Sequence, residues 1–152
     1  MVNILLIDDE PHYLMLLGDF LRNQGWTVFT AENGEEAIGK IKTQKFDIII
    51  SDIYMPILNG IELRNTLDKM PEYSQIPFIY VSAYADSSTL STLQLSENVK
   101  YLSKSSSPAK MKEWINFLLT PRESRGKHPG EESLSRTDTR SIGRDSGRHK
   151  RR

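Results

Sequence analysis

The segment FDIIISDIYMP, residues 46–56, decides how the rest of the chain is interpreted. Four apolar or small residues, Ile48 to Ser51, lead to Asp52, and Pro56 follows shortly after. Uninterrupted runs of isoleucine, rather than alternating patterns, are typical of strands in a parallel sheet that is covered on both faces. A carboxylate at the end of such a strand costs free energy unless a partner compensates its charge. Asp52 is therefore either an ordinary turn residue or part of a site.

Strand-like apolar segments alternate with segments of helical periodicity throughout residues 1–120. Strands are predicted for NILLID (residues 3–8), WTVFTA (26–31), FDIIIS (46–51), IPFIYVSA (76–83) and VKYLS (99–103). Helices are predicted for residues 11–25, 33–43, 59–70, 86–96 and 107–120. This alternation predicts a doubly wound α/β fold with five helices and one five-stranded parallel sheet, in the order 2-1-3-4-5.

Two of the predicted helices carry local signals. Asn33 and Glu36 have the spacing of a capping box at the start of the second helix. The fourth helix, residues 86–96, is rich in Ser and Thr, whose side chains compete for backbone hydrogen bonds, so it is predicted to be weak.

Composition excludes several classes of protein. The 152 residues include no cysteine, so neither a disulfide framework nor thiolate chemistry is available. No apolar run approaches the roughly 20 residues that span a bilayer, and no signal peptide is evident at the first residue. We therefore expect a cytoplasmic protein without membrane contact.

The zero net charge hides an asymmetry between two parts of the chain. Residues 1–120 carry 10 Lys and Arg against 15 Asp and Glu, a net of −5, whereas residues 121–152 carry 10 against 5, a net of +5. The second part is dominated by Ser, Arg and Gly and has too few apolar residues to offset the entropy of ordering it. We predict a folded domain over 1–120 and a basic, disordered tail over 121–152. The tail is too short and too polar for a folded DNA-binding module, so no specific nucleic-acid partner is expected.

Polar side chains follow four of the predicted strands. The first strand ends at Asp8 and Asp9, the third at Asp52, the fourth at Ser82, and the fifth at Lys104. In the order 2-1-3-4-5 these strands are neighbours, and ligands of such sheets bind outside the carboxyl ends of the strands. Taken singly, the acids could be helix caps and the lysine a surface residue. Together, at four adjacent strand ends, they predict one site.

The chemistry of this site follows from its charges. Three close carboxylates cannot all be ionised without a counter-charge. Oxygen ligands with open positions suit Mg²⁺ (or Mn²⁺), while the absence of cysteine and the scattered histidines speak against zinc. A metal, an ammonium and a hydroxyl could neutralise the oxygens of a phosphoryl group during transfer to a carboxylate. The set of residues is therefore that of a carboxylate that becomes phosphorylated.

The sequence resembles the receiver domains of two-component response regulators. The segments that carry the resemblance are LLIDDEP (residues 5–11), DIIISDIYMPILNGIEL (47–63), IPFIYVSAYA (76–85) and YLSK (101–104). The similarity covers about residues 2–119 and implies a flavodoxin-like fold. It also implies a phosphorelay module that takes a phosphoryl group from the phosphohistidine of a sensor histidine kinase or phosphotransfer protein. Such a module changes conformation and regulates a protein partner or an output domain.

The resemblance assigns a role to each residue of the site. Asp52 would be the phosphoacceptor. Asp8, Asp9 and Asp52 would be the metal ligands, together with the main-chain carbonyl of Tyr54. Ser82 and Lys104 would sense the phosphoryl group, and Tyr101 would be the aromatic switch that turns inward with Ser82. For Tyr101 the alternative is an aromatic side chain that simply packs on the last strand.

The chain departs from the family pattern in two places. Ser105 follows Lys104 in the segment KSSSP, where the family usually has proline, often after a cis peptide bond. Non-proline cis bonds are rare, so the isomer of this bond stays open. The weak fourth helix also places the usual signalling face in question. Tyr54 and Tyr84, each two residues past a key residue, are predicted to limit access of water to the site.

Two other functions were weighed. A phosphate-ester hydrolase with Asp52 as nucleophile would be expected to carry an Asp-x-Asp pair, but Tyr54 occupies the second position. A degenerate receiver that only binds partners is disfavoured by the complete set of acids, Ser82 and Lys104. We expect no enzymatic turnover beyond self-phosphorylation and autodephosphorylation, and homodimerisation is left open.

Overall fold

The computed structural model describes residues 1–129 and has the predicted α/β architecture. Its elements are β1 (Asn3–Ile7), α1 (Pro11–Asn23), β2 (Thr27–Ala31), α2 (Gly34–Thr43), β3 (Ile48–Asp52), α3 (Gly60–Asp68), β4 (Phe78–Ser82), α4 (Ser87–Ser91), β5 (Val99–Ser103), α5 (Pro108–Leu119) and a short 3₁₀ helix (Arg122–Ser124). The five strands form one sheet in the order β2-β1-β3-β4-β5, with every adjacent pair parallel. The predicted flavodoxin-like fold and strand order are confirmed.

Helices cover both faces of the sheet, which explains the uninterrupted apolar strands. Along β1, Leu5 and Ile7 pack with the buried residues of α2 and α3, whereas Ile4 and Leu6 pack with those of α1 and α5. All four side chains are fully buried. Because successive residues of a strand point to opposite faces, an apolar residue is needed at every position.

The start of α3 is fixed more completely than the start of α2. Asn33 accepts a hydrogen bond from the Glu36 amide, but the Glu36 carboxylate accepts from the Glu32 amide, so the predicted capping box is only half formed. The full reciprocal box lies at Asn59 and Glu62. Both devices satisfy amides that the first turn of a helix leaves unpaired.

The fourth helix is much shorter than the predicted range of residues 86–96. It covers only Ser87–Ser91 and buries none of its residues. Asp86 caps it by accepting from the Thr89 amide, and the left-handed φ of 52° at Gln94 prevents a regular continuation. With few apolar contacts to favour a helix, the Ser and Thr side chains bond locally instead.

Ordered contacts extend past residue 120, where the sequence predicted that a disordered tail begins. Arg125 donates hydrogen bonds to the carbonyl oxygens of Leu118, Thr120 and Glu97 and to the side chain of Asn98. This side chain joins the end of α5 to the turn before β5, a long-range contact that composition does not reveal. Residues 130–152 of the predicted tail lie outside the described residues. Within the described part of the chain, no helix has the length and apolarity to cross a membrane.

Candidate functional site

The carboxyl ends of β1 and β3 bring three aspartates together. Carboxylate oxygens of Asp8, Asp9 and Asp52 lie within 4.8 Å of one another. Asp8 and Asp52 are buried and Asp9 is exposed, so the cluster opens to solvent on one side. Ser82 ends β4 and Lys104 directly follows β5. The structure therefore places the predicted acids and the lysine around one cleft.

A glycine allows α3 to begin directly against the end of β3. A Cβ atom on Gly60 would lie 2.2 Å from the main-chain oxygen of Asp52. The same oxygen accepts a hydrogen bond of 2.9 Å from the Ser51 hydroxyl, and the Gly60 amide donates to the Ile53 oxygen at 3.0 Å. These contacts fix the backbone that carries the Asp52 carboxylate.

Lys104 crosses the cleft and places its ammonium among the acids. Its Nζ atom lies 2.8 Å from Asp8 Oδ2 and 3.5 Å from both Glu10 Oε2 and Asp52 Oδ2. Apart from the Lys104 ammonium, the buried Asp8 Oδ2 atom has no hydrogen-bond donor. The Tyr13 ring lies on another side, with its centroid 4.7 Å from Nζ.

Burial and crowding change the acidity of these groups. Burial, reinforced by the charge of Asp8, raises the pKa of Asp52 to about 6. Burial also raises the pKa of Asp8, although Lys104 and the Glu10 amide oppose the change. For Lys104, burial alone would lower the pKa, but the neighbouring carboxylates outweigh it and raise the value. The cleft thus lacks positive charge to balance its carboxylates.

Ser82 is engaged with its own loop rather than with Asp52. Its hydroxyl donates to the Tyr84 carbonyl at 2.7 Å and accepts from the Tyr84 amide at 3.2 Å. The Tyr84 residue is 76% exposed. Ser82 is thus near the site, as predicted, but its hydroxyl must exchange these bonds before it can contact a ligand on Asp52.

Tyr54 links the loop after β3 to α4. Its hydroxyl donates to the Thr89 hydroxyl at 2.9 Å. Tyr101 is half-buried and packs against the apolar cluster on the α2–α3 face of the sheet. Burial, and secondarily Tyr54, raises the pKa of Tyr101, which indicates that the two tyrosines are close.

The segment after Lys104 has an ordinary backbone in place of the proline that the family favours. The Lys104–Ser105 peptide bond is trans, as are all others in residues 1–129. The hydroxyls of Ser103 and Ser105 are 2.8 Å apart, and Ser107 caps α5 by accepting from the Lys110 amide. The question of the isomer is thus answered as trans, and local hydroxyl contacts hold the loop.

Glu10 and Tyr13 belong to the cleft although the sequence did not single them out. Glu10 follows the paired aspartates, and its position at the N-cap of α1 offered a weak signal. Tyr13 offered none, because its contact with Lys104 depends on how α1 lies beside the loop after β5.

The donor set of the cleft fits a hard divalent cation. Four carboxylates, those of Asp8, Asp9, Glu10 and Asp52, face the single ammonium of Lys104. The buried Asp8 Oδ2 atom has only the Lys104 ammonium beside it, which leaves a lone pair for a metal. Oxygen ligands of this kind suit Mg²⁺ or Mn²⁺.

Comparisons with known proteins agree with this geometry. The family model described as response regulator receiver domain matches residues 4–116. Protein PilH of Pseudomonas aeruginosa is 38% identical over 82 residues, which cover 54% of this chain and 68% of PilH. "Probable transcriptional regulator ycf29" of Porphyra purpurea is 38% identical over 81 residues, but the match covers 53% of this chain and only 39% of that protein.

A solved structure shows the same similarity in three dimensions. The response regulator protein TrrA from Thermotoga maritima, in complex with Mg(2+)-BeF, superposes with a TM-score of 0.68 at 34% sequence identity. The alignment covers 78% of this chain and 99% of TrrA.

Proposed function

The chain belongs to the response regulator receiver domains of two-component signalling, and from this premise we propose that Asp52 is its phosphoacceptor. The observation that carries the proposal is the convergence of Asp8, Asp9, Asp52 and Lys104 at the carboxyl edge of the sheet. Asp8 is also buried at the end of a strand, but its carboxylate lies 2.8 Å from the Lys104 ammonium, whereas that of Asp52 lies 3.5 Å from it.

Asp52 acts as the nucleophile in this proposal. One of its carboxylate oxygens attacks the phosphorus of a phosphohistidine, and a new oxygen–phosphorus bond forms while the nitrogen–phosphorus bond breaks. The imidazole leaves and takes up a proton. The contacts of Gly60 and Ser51 with the Asp52 backbone hold the attacking group in place, so little orientational freedom has to be given up in the reaction.

Asp8, Asp9 and Asp52, with the main-chain carbonyl of Tyr54, would hold Mg²⁺ or Mn²⁺. The bound ion would supply positive charge to the carboxylates and to one phosphoryl oxygen. TrrA, 34% identical to this chain, was solved with Mg(2+)-BeF, which supports the assignment of the metal.

Lys104 and Ser82 are proposed to sense the phosphoryl group. Lys104 Nζ is already 3.5 Å from Asp52 Oδ2 and would exchange that ion pair for a phosphoryl oxygen. Ser82 would give up its bonds to the Tyr84 backbone and donate to a second oxygen. Movement of this loop would let Tyr101 turn inward. Phosphorylation would thus be a local change of charge that biases a two-state element of the structure.

Tyr54 and Tyr84 are proposed to limit the access of water to the acyl phosphate. Tyr54 is anchored by its bond to Thr89, whereas Tyr84 is largely exposed, so Tyr54 is expected to contribute more. Replacing both by alanine should shorten the lifetime of the acyl phosphate; an unchanged lifetime would contradict this role.

The partners follow from the proposed chemistry. A sensor histidine kinase or a phosphotransfer protein supplies the phosphoryl group, and a protein partner or an output domain reads the altered conformation. We expect the chain to accept and lose this group without turnover of a separate substrate, to act in the cytoplasm, and to need no specific nucleic acid. A homodimer is compatible with this scheme but is not required by it.

The test is phosphorylation by a small donor. We expect the chain to gain one phosphoryl group in acetyl phosphate and Mg²⁺, measured by intact mass, and Asp52→Asn to gain none. Asp19→Asn, an acid on the exposed side of α1, is the matched control and should react as the unsubstituted chain does. Equal labelling of Asp52→Asn, or steady hydrolysis of a generic phosphomonoester, would contradict the proposal.

A further inference from the structure

The ion pairs of Lys104 are unequal in length. Only the Asp8 carboxylate is close to its ammonium, at 2.8 Å, while Glu10 and Asp52 lie at 3.5 Å. The side chain is nevertheless only 11% exposed. Besides these ion pairs, the ammonium has an aromatic neighbour, the ring of Tyr13.

The Tyr13 ring lies beside the Lys104 ammonium. Tyr13 lies in the first turn of α1 and packs with the apolar cluster on the α1–α5 face of the sheet. Together with Leu102, Pro108 and Met111 it lines a groove of about 210 Å³ between α1 and the start of α5. Lys104 lines the same groove, with its Nζ 4.7 Å from the Tyr13 ring centroid. An ammonium over the face of an aromatic ring is attracted by the electron density of that face.

The contacts of the loop after Lys104 do not involve the Lys104 ammonium. Its main-chain amide donates to the Ser82 oxygen at 2.9 Å, which fixes the backbone but not the end of a long, flexible side chain. The hydroxyls of Ser103 and Ser105 bond to each other. Among the residues that line the groove, Tyr13 is the one whose ring lies over the Lys104 ammonium.

We infer that Tyr13 is a positioning residue, whose ring face holds the Lys104 ammonium beside Asp52, ready for a phosphoryl oxygen. The inference rests on the proposed function, because it assumes that Lys104 contacts the phosphoryl group. Tyr13 is not among the proposed metal ligands, and the contact of its ring with Lys104 carries its proposed role.

The test compares side chains with and without a ring. The initial rate of phosphorylation by acetyl phosphate and Mg²⁺ should fall about two- to thirtyfold in Tyr13→Leu, the range expected for loss of a cation–π contact. Tyr13→Phe keeps the ring and should react like the unsubstituted chain. Tyr73→Leu, the same change in a half-buried tyrosine outside the cleft, should have no effect on the rate.

A double substitution separates positioning from a general effect on folding. In a Lys104→Ala background, Tyr13→Leu should slow the reaction no further, because the group it positions is absent. The Lys104 ε-methylene protons, followed by NMR, give a readout independent of phosphorylation. Their ring-current shift should persist in Tyr13→Phe and vanish in Tyr13→Leu.

Three results would overturn the inference: full activity of Tyr13→Leu, equal slowing in both backgrounds, or a Tyr13→Phe variant as slow as Tyr13→Leu. Should Tyr13→Leu fail to fold, Tyr13→Met, which keeps the bulk without a ring, takes its place. An unsubstituted chain that forms no Asp52 adduct would refute the proposed function instead, and the ring-current shift would then decide whether Tyr13 holds Lys104.

Discussion

Replacing Asp52 by asparagine should stabilise the metal-free protein at neutral pH. The pKa of Asp52 is raised from 3.8 to about 6, first by burial and then by the charge of Asp8. The folded chain therefore binds the proton more tightly than the unfolded chain, and stability falls as the pH rises through this interval. Above about pH 6 the ionised carboxylate carries its full unfavourable effect; below 3.8 it carries none.

The size of the effect follows from the shift. About two pKa units correspond to about 3 kcal/mol, which is an upper limit because the cleft opens to water on one side. We expect Asp52→Asn to raise the free energy of unfolding by about 1–3 kcal/mol at neutral pH, and this gain to vanish below pH 3.8. Mg²⁺ should remove most or all of this difference, since an ion at 100 times its dissociation constant stabilises the native state by about 2.7 kcal/mol.

Urea denaturation followed by tryptophan fluorescence measures both effects. The series would be run with a chelator across the pH range and repeated with Mg²⁺. Glu72→Gln, an exposed acid away from the cleft, makes the same change in charge and should shift stability little. Equal stabilities of Asp52→Asn and the unsubstituted chain at neutral pH, or a difference that is largest in acid, would refute the reasoning.

Three further changes test local conformation and packing in the fold, and urea denaturation measures each of them. Gly60→Ala should destabilise the domain by about 3 kcal/mol, because the added Cβ atom would lie 2.2 Å from a main-chain oxygen. The control Gly39→Ala has open space around it and should stabilise the domain by about 0.5–1 kcal/mol, so equal effects would contradict the steric argument. Ile57→Gly should stabilise the domain by about 1 kcal/mol, because this 71% exposed residue has a left-handed φ of 70° that a branched side chain disfavours. A loss of stability would show that the conformation of Ile57 is not strained. Arg125→Ala removes four hydrogen bonds and should lower the free energy of unfolding by about 1–3 kcal/mol. The control Arg122→Ala removes an exposed ion pair and should cost at most about 1 kcal/mol. A cost for Arg125→Ala no larger than that of the control would mean that residues past 120 do not contribute to the fold.

The sequence predicted the sheet and the position of most site residues because both depend on short-range patterns. Apolar runs of five residues define the strands, and residues such as Asp52 and Lys104 follow those strands directly. In a parallel sheet the carboxyl ends share one edge, so adjacency in space follows from the strand order. The half-formed capping box at Asn33 and the short α4 were less predictable, since local competition for hydrogen bonds decided them.

Contacts between distant segments could not be predicted in this way. Tyr13 approaches Lys104 only because α1 packs beside the loop after β5, and Arg125 finds its acceptors only where α5 ends next to the turn before β5. Neither pair has a signature in composition or spacing. Glu10 falls between these cases: it adjoins the predicted acids, but its distance to Lys104 had to be measured.

The sequence by itself determined the fold class and the chemical groups of the site, because hydrophobic period and strand ends are local properties of the chain. Only the tertiary structure decided how those groups are held. It shows Asp52 raised in pKa by burial, Ser82 bonded to its own loop, Lys104 confined by an aromatic ring, and a trans peptide bond before Ser105. The burial of Asp52 and the approach of Tyr13 to Lys104 depend on distances between segments far apart in the chain, and such distances arise only when the helices pack on the sheet. The Ser82 bonds and the peptide bond before Ser105 are local conformations that the sequence pattern left open.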